Sequence, residues 1–310
     1  MANDTMKAIR AHDYGAASEL KLDEAPRPEP KAGEVLVRLK AAGVNPADWK
    51  YRQGLYKAFM PLTFPWTPGL EGAGVVEAVG PGVTTIKAGQ AVFGPCMGTY
   101  AEYTVAPAAE LAPMPAGLEF DEAAGVPVGA LTAWGAVEAA DIKPGQKVLV
   151  HGAAGGVGLF ASQLAVLKGA HVIGTASAEN LDFVKSLGVE QVIDYNAVPF
   201  ETVVHDVDVV IDTVGGETLE RSWQVLRPGG VVVTIAARIT EDQLKAHPGV
   251  RGKGAGRAPA ANLTQIAELI ASKKLTPAVQ ETFPLDRAAA AQELCETGHG
   301  RGRIILHIAD

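Results

Sequence analysis

At 310 residues, with 47% hydrophobic and 20% charged residues, the chain has the composition of a folded protein with core enough for two domains, which argues against disordered and membrane classes. A formal charge of −8 disfavours a nucleic-acid backbone as partner, and the two cysteines, Cys96 and Cys295, are too few for a disulfide framework. No apolar run reaches the ~18 residues a membrane span needs, and Met1 to Arg10 lacks the basic-then-apolar order of a secretory signal, so a cytoplasmic protein is expected.

In chain order, the first third reads as short strands between Gly and Pro turns: Lys7–Arg10, Glu34–Ala41, Gly72–Gly80, Gln90–Gly94 and Thr99–Val105. That pattern predicts a small β-rich, barrel-like unit. From about Ala123 strands and helices alternate. Strands are predicted at Lys147–His151, His171–Thr175, Gln191–Asp194, Asp208–Asp212 and Val231–Ile235, with helices at Val157–Lys168, Ser177–Leu187 and Glu217–Leu226. Such alternation predicts an α/β domain, a parallel sheet doubly wound by helices. Beyond Ala236 lies a glycine-rich basic loop, Gly249–Arg257, followed by helical segments at Asn262–Ser272 and Phe283–Thr297 and a last strand, Arg303–Ile308.

The stretch Lys147-Val-Leu-Val-His-Gly-Ala-Ala-Gly-Gly-Val-Gly158 carries the strongest functional signal. A β-branched strand ends in a glycine-rich turn that opens into a helix, so backbone N–H groups and a helix N-terminus can face a pyrophosphate. Ala154, Gly155, Gly156 and Val157 are the residues expected against it. The following strand ends Gly174-Thr-Ala-Ser177, with no carboxylate at its tip to hold the ribose hydroxyls of NAD. Ser177 offers a hydroxyl there, so NADPH is expected over NADH, with NADH use left open. In the alternative reading Ser177 only caps the next helix.

Beyond single motifs, the chain resembles the zinc-independent quinone oxidoreductases of the medium-chain dehydrogenase/reductase superfamily. The matching segments are Ala42-Gly-Val-Asn-Pro-Ala-Asp48, Pro68-Gly-Leu-Glu-Gly-Ala-Gly74, Gly98-Thr-Tyr-Ala-Glu-Tyr103, Leu131-Thr-Ala-Trp134, Lys143 through Gly158, and Gly298-His-Gly-Arg-Gly-Arg303. The resemblance implies a GroES-like catalytic domain over residues 1–124, completed by 264–310, around a Rossmann domain over 125–263. A substrate cleft is then expected between the two. It also implies a homodimer, although relatives have an apolar subunit-pairing strand where this chain has Gly249–Arg257, and those glycines weaken a strand.

Zinc members of that superfamily hold catalytic metal with a cysteine, a histidine preceding a glutamate, and a further cysteine or histidine. Here Asn45 stands in the place of the first cysteine, and Leu70 precedes Glu71 where the histidine would be. No metal is therefore expected. Cys96 and His151 read as a core or loop cysteine and a hydrogen-bonded structural histidine. Without a metal Lewis acid, saturated alcohols are hard to oxidise. An electron-poor quinone or α,β-unsaturated carbonyl is easier, because the protein need only position it and stabilise the oxyanion left by hydride addition.

By the same resemblance, Asn45–Tyr56 lines the cleft, with Asn45 near the nicotinamide, Tyr56 near the acceptor, and Lys50 offering an ammonium to the enolate oxygen. Thr132 approaches the nicotinamide, and Ser177, Asn180, Tyr195 and Ala236 complete the expected coenzyme contacts. Alternatively Lys50 is a solvated charge, Tyr51 and Tyr56 are core aromatics, and Asp48 pairs with Arg52 to shape the loop. Two other functions stay open: a zinc-free aldehyde or alcohol reductase, and a non-catalytic NADPH-binding regulatory or structural protein. The basic loop from Arg251 to Arg257 is the sole local candidate for a nucleic acid.

Overall fold

The computed structural model describes residues 5–310. Two sheets organise it, with a Thr5–Ala11/Leu20–Pro26 hairpin alongside. The second sheet is all parallel, in the spatial order Gln191–Asp194, His171–Ala176, Lys147–Val150, Val207–Asp212, Leu226–Thr234 and Arg251–Gly254. Its strands are β-branched runs because both faces are buried, so each side chain meets an apolar neighbour whichever way it points. Val148, Val150, Val209, Ile211, Val231 and Val233 pack on one face with Leu131, Leu159 and Phe160. The alternate residues, Leu149, Val210 and Val232, pack on the other with Phe200, Leu219 and Trp223. Strand order reverses between Lys147–Val150 and Val207–Asp212, the switch point that opens a crevice at the carboxyl ends of parallel strands.

The other sheet is mostly antiparallel and seven-stranded. Its path runs Val279–Pro284, Arg303–His307, Glu34–Val44, Glu71–Val79, Ala91–Pro95 and Ala112–Pro113, with Tyr103–Pro107 also paired to Glu34–Val44. The last strand of the chain thus returns to the sheet begun near the N-terminus. The fold is α/β: a GroES-like β-rich unit joined to a Rossmann-like parallel sheet.

Several elements differ from the sequence reading. Residues 251–254 form an edge strand, not a loop: the Leu226–Thr234 strand supplies backbone partners along it. Gly252 is required there rather than disruptive, since a Cβ at that position would lie 2.6 Å from the Trp223 ring and 2.8 Å from Ile239. Residues 283–297 are not one helix; Phe283 lies in the Val279–Pro284 strand, and the helix runs Ala288–Glu296. Helices at Pro46–Arg52 and Pro127–Ala140 carry little hydrophobic periodicity, because one is short and the other is buried nearly all round.

Candidate active site

The site lies where the ends of both sheets meet. Ile304 is paired with Val44 across antiparallel strands, which brings Arg303 beside Asn45, the residue opening the Pro46–Arg52 helix. Ala42 is paired with Gly72, which sets Gly43 beside Glu71. Gly43 makes room for that carboxylate: a Cβ there would sit 2.5 Å from Glu71 Oε1 and 2.8 Å from the Ala124 carbonyl.

Three buried polar side chains then interlock. The Asn45 amide donates to Glu71 Oε1 at 2.8 Å, and Arg303 Nη2 donates to Asn45 Oδ1 at 2.7 Å and also to Glu71. Glu71 Oε2 accepts the Val128 N–H at 2.7 Å, at the positive end of the Pro127–Ala140 helix. Each charge is thus compensated, as a buried ion pair must be. Asp48 supports the constellation from below, accepting the Asn45 N–H at 2.8 Å, the Tyr100 hydroxyl at 3.1 Å and the Gly69 N–H at 3.2 Å. Burial pushes its carboxyl up to about 7, while the two N–H donors and the Tyr100 hydroxyl pull toward the ionised form.

The Asp48–Arg52 pair considered from sequence does not form. Arg52 instead donates to Gln292 Oε1 at 2.8 Å and the Gly15 carbonyl at 2.6 Å and pairs with Glu296. Both groups are wholly buried, and each has fuller partners elsewhere.

The glycine-rich turn abuts this cluster. Gly302 N–H donates to the Ala154 carbonyl at 2.8 Å, and Gly155 bridges to Gly302. A Cβ on Gly156 would lie 2.7 Å from Arg303 Nη1, so the guanidinium borders the turn itself. A Cβ on Gly158 would meet the Gly152 carbonyl at 2.0 Å, and one on Gly129 the Gly156 carbonyl at 2.5 Å. These contacts force glycine wherever turn and helices touch. Gly155 is different: a Cβ there would have only the Gly152 carbonyl nearby, at 3.3 Å, leaving its outer side open. Arg303 Nε is buried without a hydrogen-bond partner among the described residues. A glycine turn before the Gly158–Leu167 helix, bordered by a cation with an unspent donor, fits the pyrophosphate of a dinucleotide.

Other expected contacts are scattered around this centre. Ala154 is buried in the turn, Val157 is half-buried, and Thr132 is half-buried on the Pro127–Ala140 helix. Ala236 is exposed just past the Leu226–Thr234 strand, and its N–H donates to Thr234 Oγ1 at 3.2 Å. Tyr195 is exposed, with its N–H on the Ala176 carbonyl at 3.2 Å. Ser177 does not cap a helix with its side chain. Its hydroxyl donates to Glu179 Oε1 at 3.0 Å and accepts from Asn180 Nδ2 at 2.9 Å. Lys50 is half-buried, its ammonium 5.4 Å from the Trp49 ring centroid. Tyr56 packs on Tyr51 and Phe59, with centroids at 5.1 and 5.6 Å, beside the exposed Leu55, Phe59 and Met60.

His151 is structural. Ser222 Oγ donates to the Thr218 carbonyl, so imidazole Nε2 donates to Ser222 at 3.0 Å and Nδ1 accepts from Thr175 at 3.2 Å. Burial holds its pKa down at about 4. Cys96 is a core thiol, bonded to the Gly94 carbonyl at 3.4 Å and pushed by burial up to about 12. Among the described residues no group of three His, Cys, Asp or Glu side chains is placed to share a metal ion. At the two positions that would supply zinc ligands stand Asn45 and Leu70, which offer neither thiolate nor imidazole, a donor set that does not fit zinc. The basic side chains of the 251–257 segment are engaged elsewhere: Arg251 on the Gly229 carbonyl, Lys253 on the Ala139 carbonyl, Arg257 on Glu110.

Sequence reasoning gave Arg303 and Glu71 no role. The available signal was a lone arginine opening the apolar run Ile304-Ile-Leu306, a charge that needs a buried partner.

A GroES-like sheet closing over the switch point of a Rossmann-like sheet defines a two-domain dehydrogenase/reductase. Residues 31–116 match the alcohol dehydrogenase GroES-like domain family and residues 187–306 the zinc-binding dehydrogenase family. A 2-methylene-furan-3-one reductase of Solanum lycopersicum and a chloroplastic NADPH-dependent alkenal/one oxidoreductase of Arabidopsis thaliana are each 35% identical over 97% of this chain and 79% of theirs. The solved quinone oxidoreductase of Coxiella burnetii superposes with a TM-score of 0.91 at 33% identity, covering 98% of this chain and 99% of its own. The chain belongs to the quinone oxidoreductase family of the medium-chain dehydrogenase/reductase superfamily, and is an oxidoreductase. Among the described residues no helix is long and apolar enough to cross a membrane.

Proposed function

We propose that this protein reduces quinones or α,β-unsaturated carbonyls with a nicotinamide coenzyme and without zinc. The observation that carries the reading is the Arg303–Glu71–Asn45 cluster set against the glycine turn at the switch point. It joins a dinucleotide-type turn to a polar cluster whose residues at the zinc-ligand positions, Asn45 and Leu70, offer no thiolate or imidazole to a metal. The names of relatives that reduce alkenals, furanones and quinones support the acceptor class.

When bound, the dihydronicotinamide supplies a hydride. The chain's own task is placement and charge. The 152–158 turn and the Arg303 cation hold the pyrophosphate, and Asn45, fixed by Glu71, Arg303 and Asp48, orients the nicotinamide. Lys50 and Tyr56 lie along the segment leading out of this pocket, where an ammonium or phenol donor can meet the oxyanion left by hydride addition to an enone. Leu55, Phe59 and Met60 are exposed on the same segment, apolar side chains against which a conjugated acceptor would pack.

Mixing the protein with reduced coenzyme and a panel of enones and quinones tests the proposal. Consumption of coenzyme with at least one such acceptor, and with no saturated ketone, is expected; coenzyme binding without turnover of any acceptor would favour a non-catalytic role.

A further inference from the structure

We infer that Glu179 selects against a 2′-phosphate, so that this chain prefers NADH to NADPH. The inference rests on the coenzyme site proposed above and reverses the preference expected from the strand tip alone.

The His171–Ala176 strand ends where the adenosine ribose lies in a dinucleotide fold. Sequence alone leaves Ser177, Asn180 and Tyr195 as the donors for a phosphate. In the structure Ser177 and Asn180 are bonded to neighbours, and Tyr195 is exposed. The Ser177 hydroxyl gives its proton to Glu179 Oε1, and the buried Asn180 amide donates to that same hydroxyl. A carboxylate two residues beyond the expected position therefore stands at the tip after all, carried there by the short turn Ala178–Asn180. A second carboxylate is close by, since Asp194 is the register partner of Ala176 on the adjacent strand.

No compensating cation comes from the local chain. From Ala176 through Val184 there is neither lysine nor arginine, Lys185 faces Asp182 at 3.7 Å, and the cation brought over the segment from elsewhere, Arg301, lies on the Phe183 ring 5.5 Å from its centroid. A ribose 2′-hydroxyl can donate to the Glu179 carboxylate. A phosphate at the same place brings up to two negative charges to a group that can only accept, and finds the Ser177 proton already taken.

Dissociation constants of NADH and NADPH, measured by calorimetry on wild-type protein, Glu179→Gln and Glu179→Arg, test this. Wild type should bind NADH about tenfold more tightly than NADPH, or ~1.4 kcal/mol. Glu179→Gln should close most of the gap by tightening NADPH, and Glu179→Arg should invert it. Raising salt should narrow the gap in wild type and narrow it less in Glu179→Gln, where the Asp194 carboxylate remains but the Glu179 charge is gone. Equal or tighter NADPH binding by wild type, or an unchanged ratio in Glu179→Gln, would overturn the selection while leaving the coenzyme site intact. Failure of both coenzymes to bind would remove the site reading together with the selection.

Discussion

Arg303 and Glu71, 232 positions apart in the chain, form a buried ion pair whose other contacts are Asn45 and a helix N-terminus. The pair locks the last strand, the strand Glu71–Val79 and the glycine turn into one unit. Removing one partner strands the other charge in the interior. Arg303→Met should therefore cost about 3–5 kcal/mol in urea unfolding, and Arg303→Met with Glu71→Met should recover part of that loss. A single variant of unchanged stability would show that the pair is solvated rather than buried.

Gly155 and Gly156 should separate binding from folding. Gly155→Val adds bulk on the open side of the turn, so coenzyme affinity should fall more than tenfold while stability changes by no more than about 1 kcal/mol. Gly156→Val drives a side chain into Arg303 and should unfold more easily as well. Undiminished coenzyme affinity in Gly155→Val would place the phosphates elsewhere.

His151 makes stability pH-dependent. Its folded pKa of about 4 lies below the ordinary 6.5, so as pH falls the unfolded chain takes up a proton first. Stability is full above 6.5 and is lost progressively down to about 4. At pH 5 this group alone should lower stability by roughly 2 kcal/mol relative to pH 7. Unfolding of His151→Gln at the two pH values should show a smaller difference than wild type; identical differences would remove the histidine from the account.

Lys50 is expected to act on the developing oxyanion. Lys50→Ala should lower kcat by about tenfold to a hundredfold with little change in KM, and Lys50→Arg should restore part of it. Loss confined to KM would instead assign Lys50 to acceptor binding.

How much of this was legible in the sequence follows from what each signal depends on. The parallel sheet and its glycine turn were readable because β-branched runs and forced glycines are local consequences of burial and close approach. The Arg251–Gly254 strand was not, since Gly252 looks like a strand breaker until Trp223 is seen packed against it. Asn45 could be flagged from its motif, but Arg303 and Glu71 meet only through strand register. Ser177 shows most plainly what a string of letters omits: its hydroxyl was available in sequence and is committed to Glu179 in space.

Hydride transfer from coenzyme to carbon is the central claim, and isotope tracing reads it most directly. Reduced coenzyme deuterated at the transferring position of the nicotinamide, incubated with the protein and a simple enone, should give a saturated ketone with deuterium on the β-carbon. Deuterium on the carbinol carbon of an allylic alcohol, or coenzyme retained unchanged beside intact enone, would contradict it.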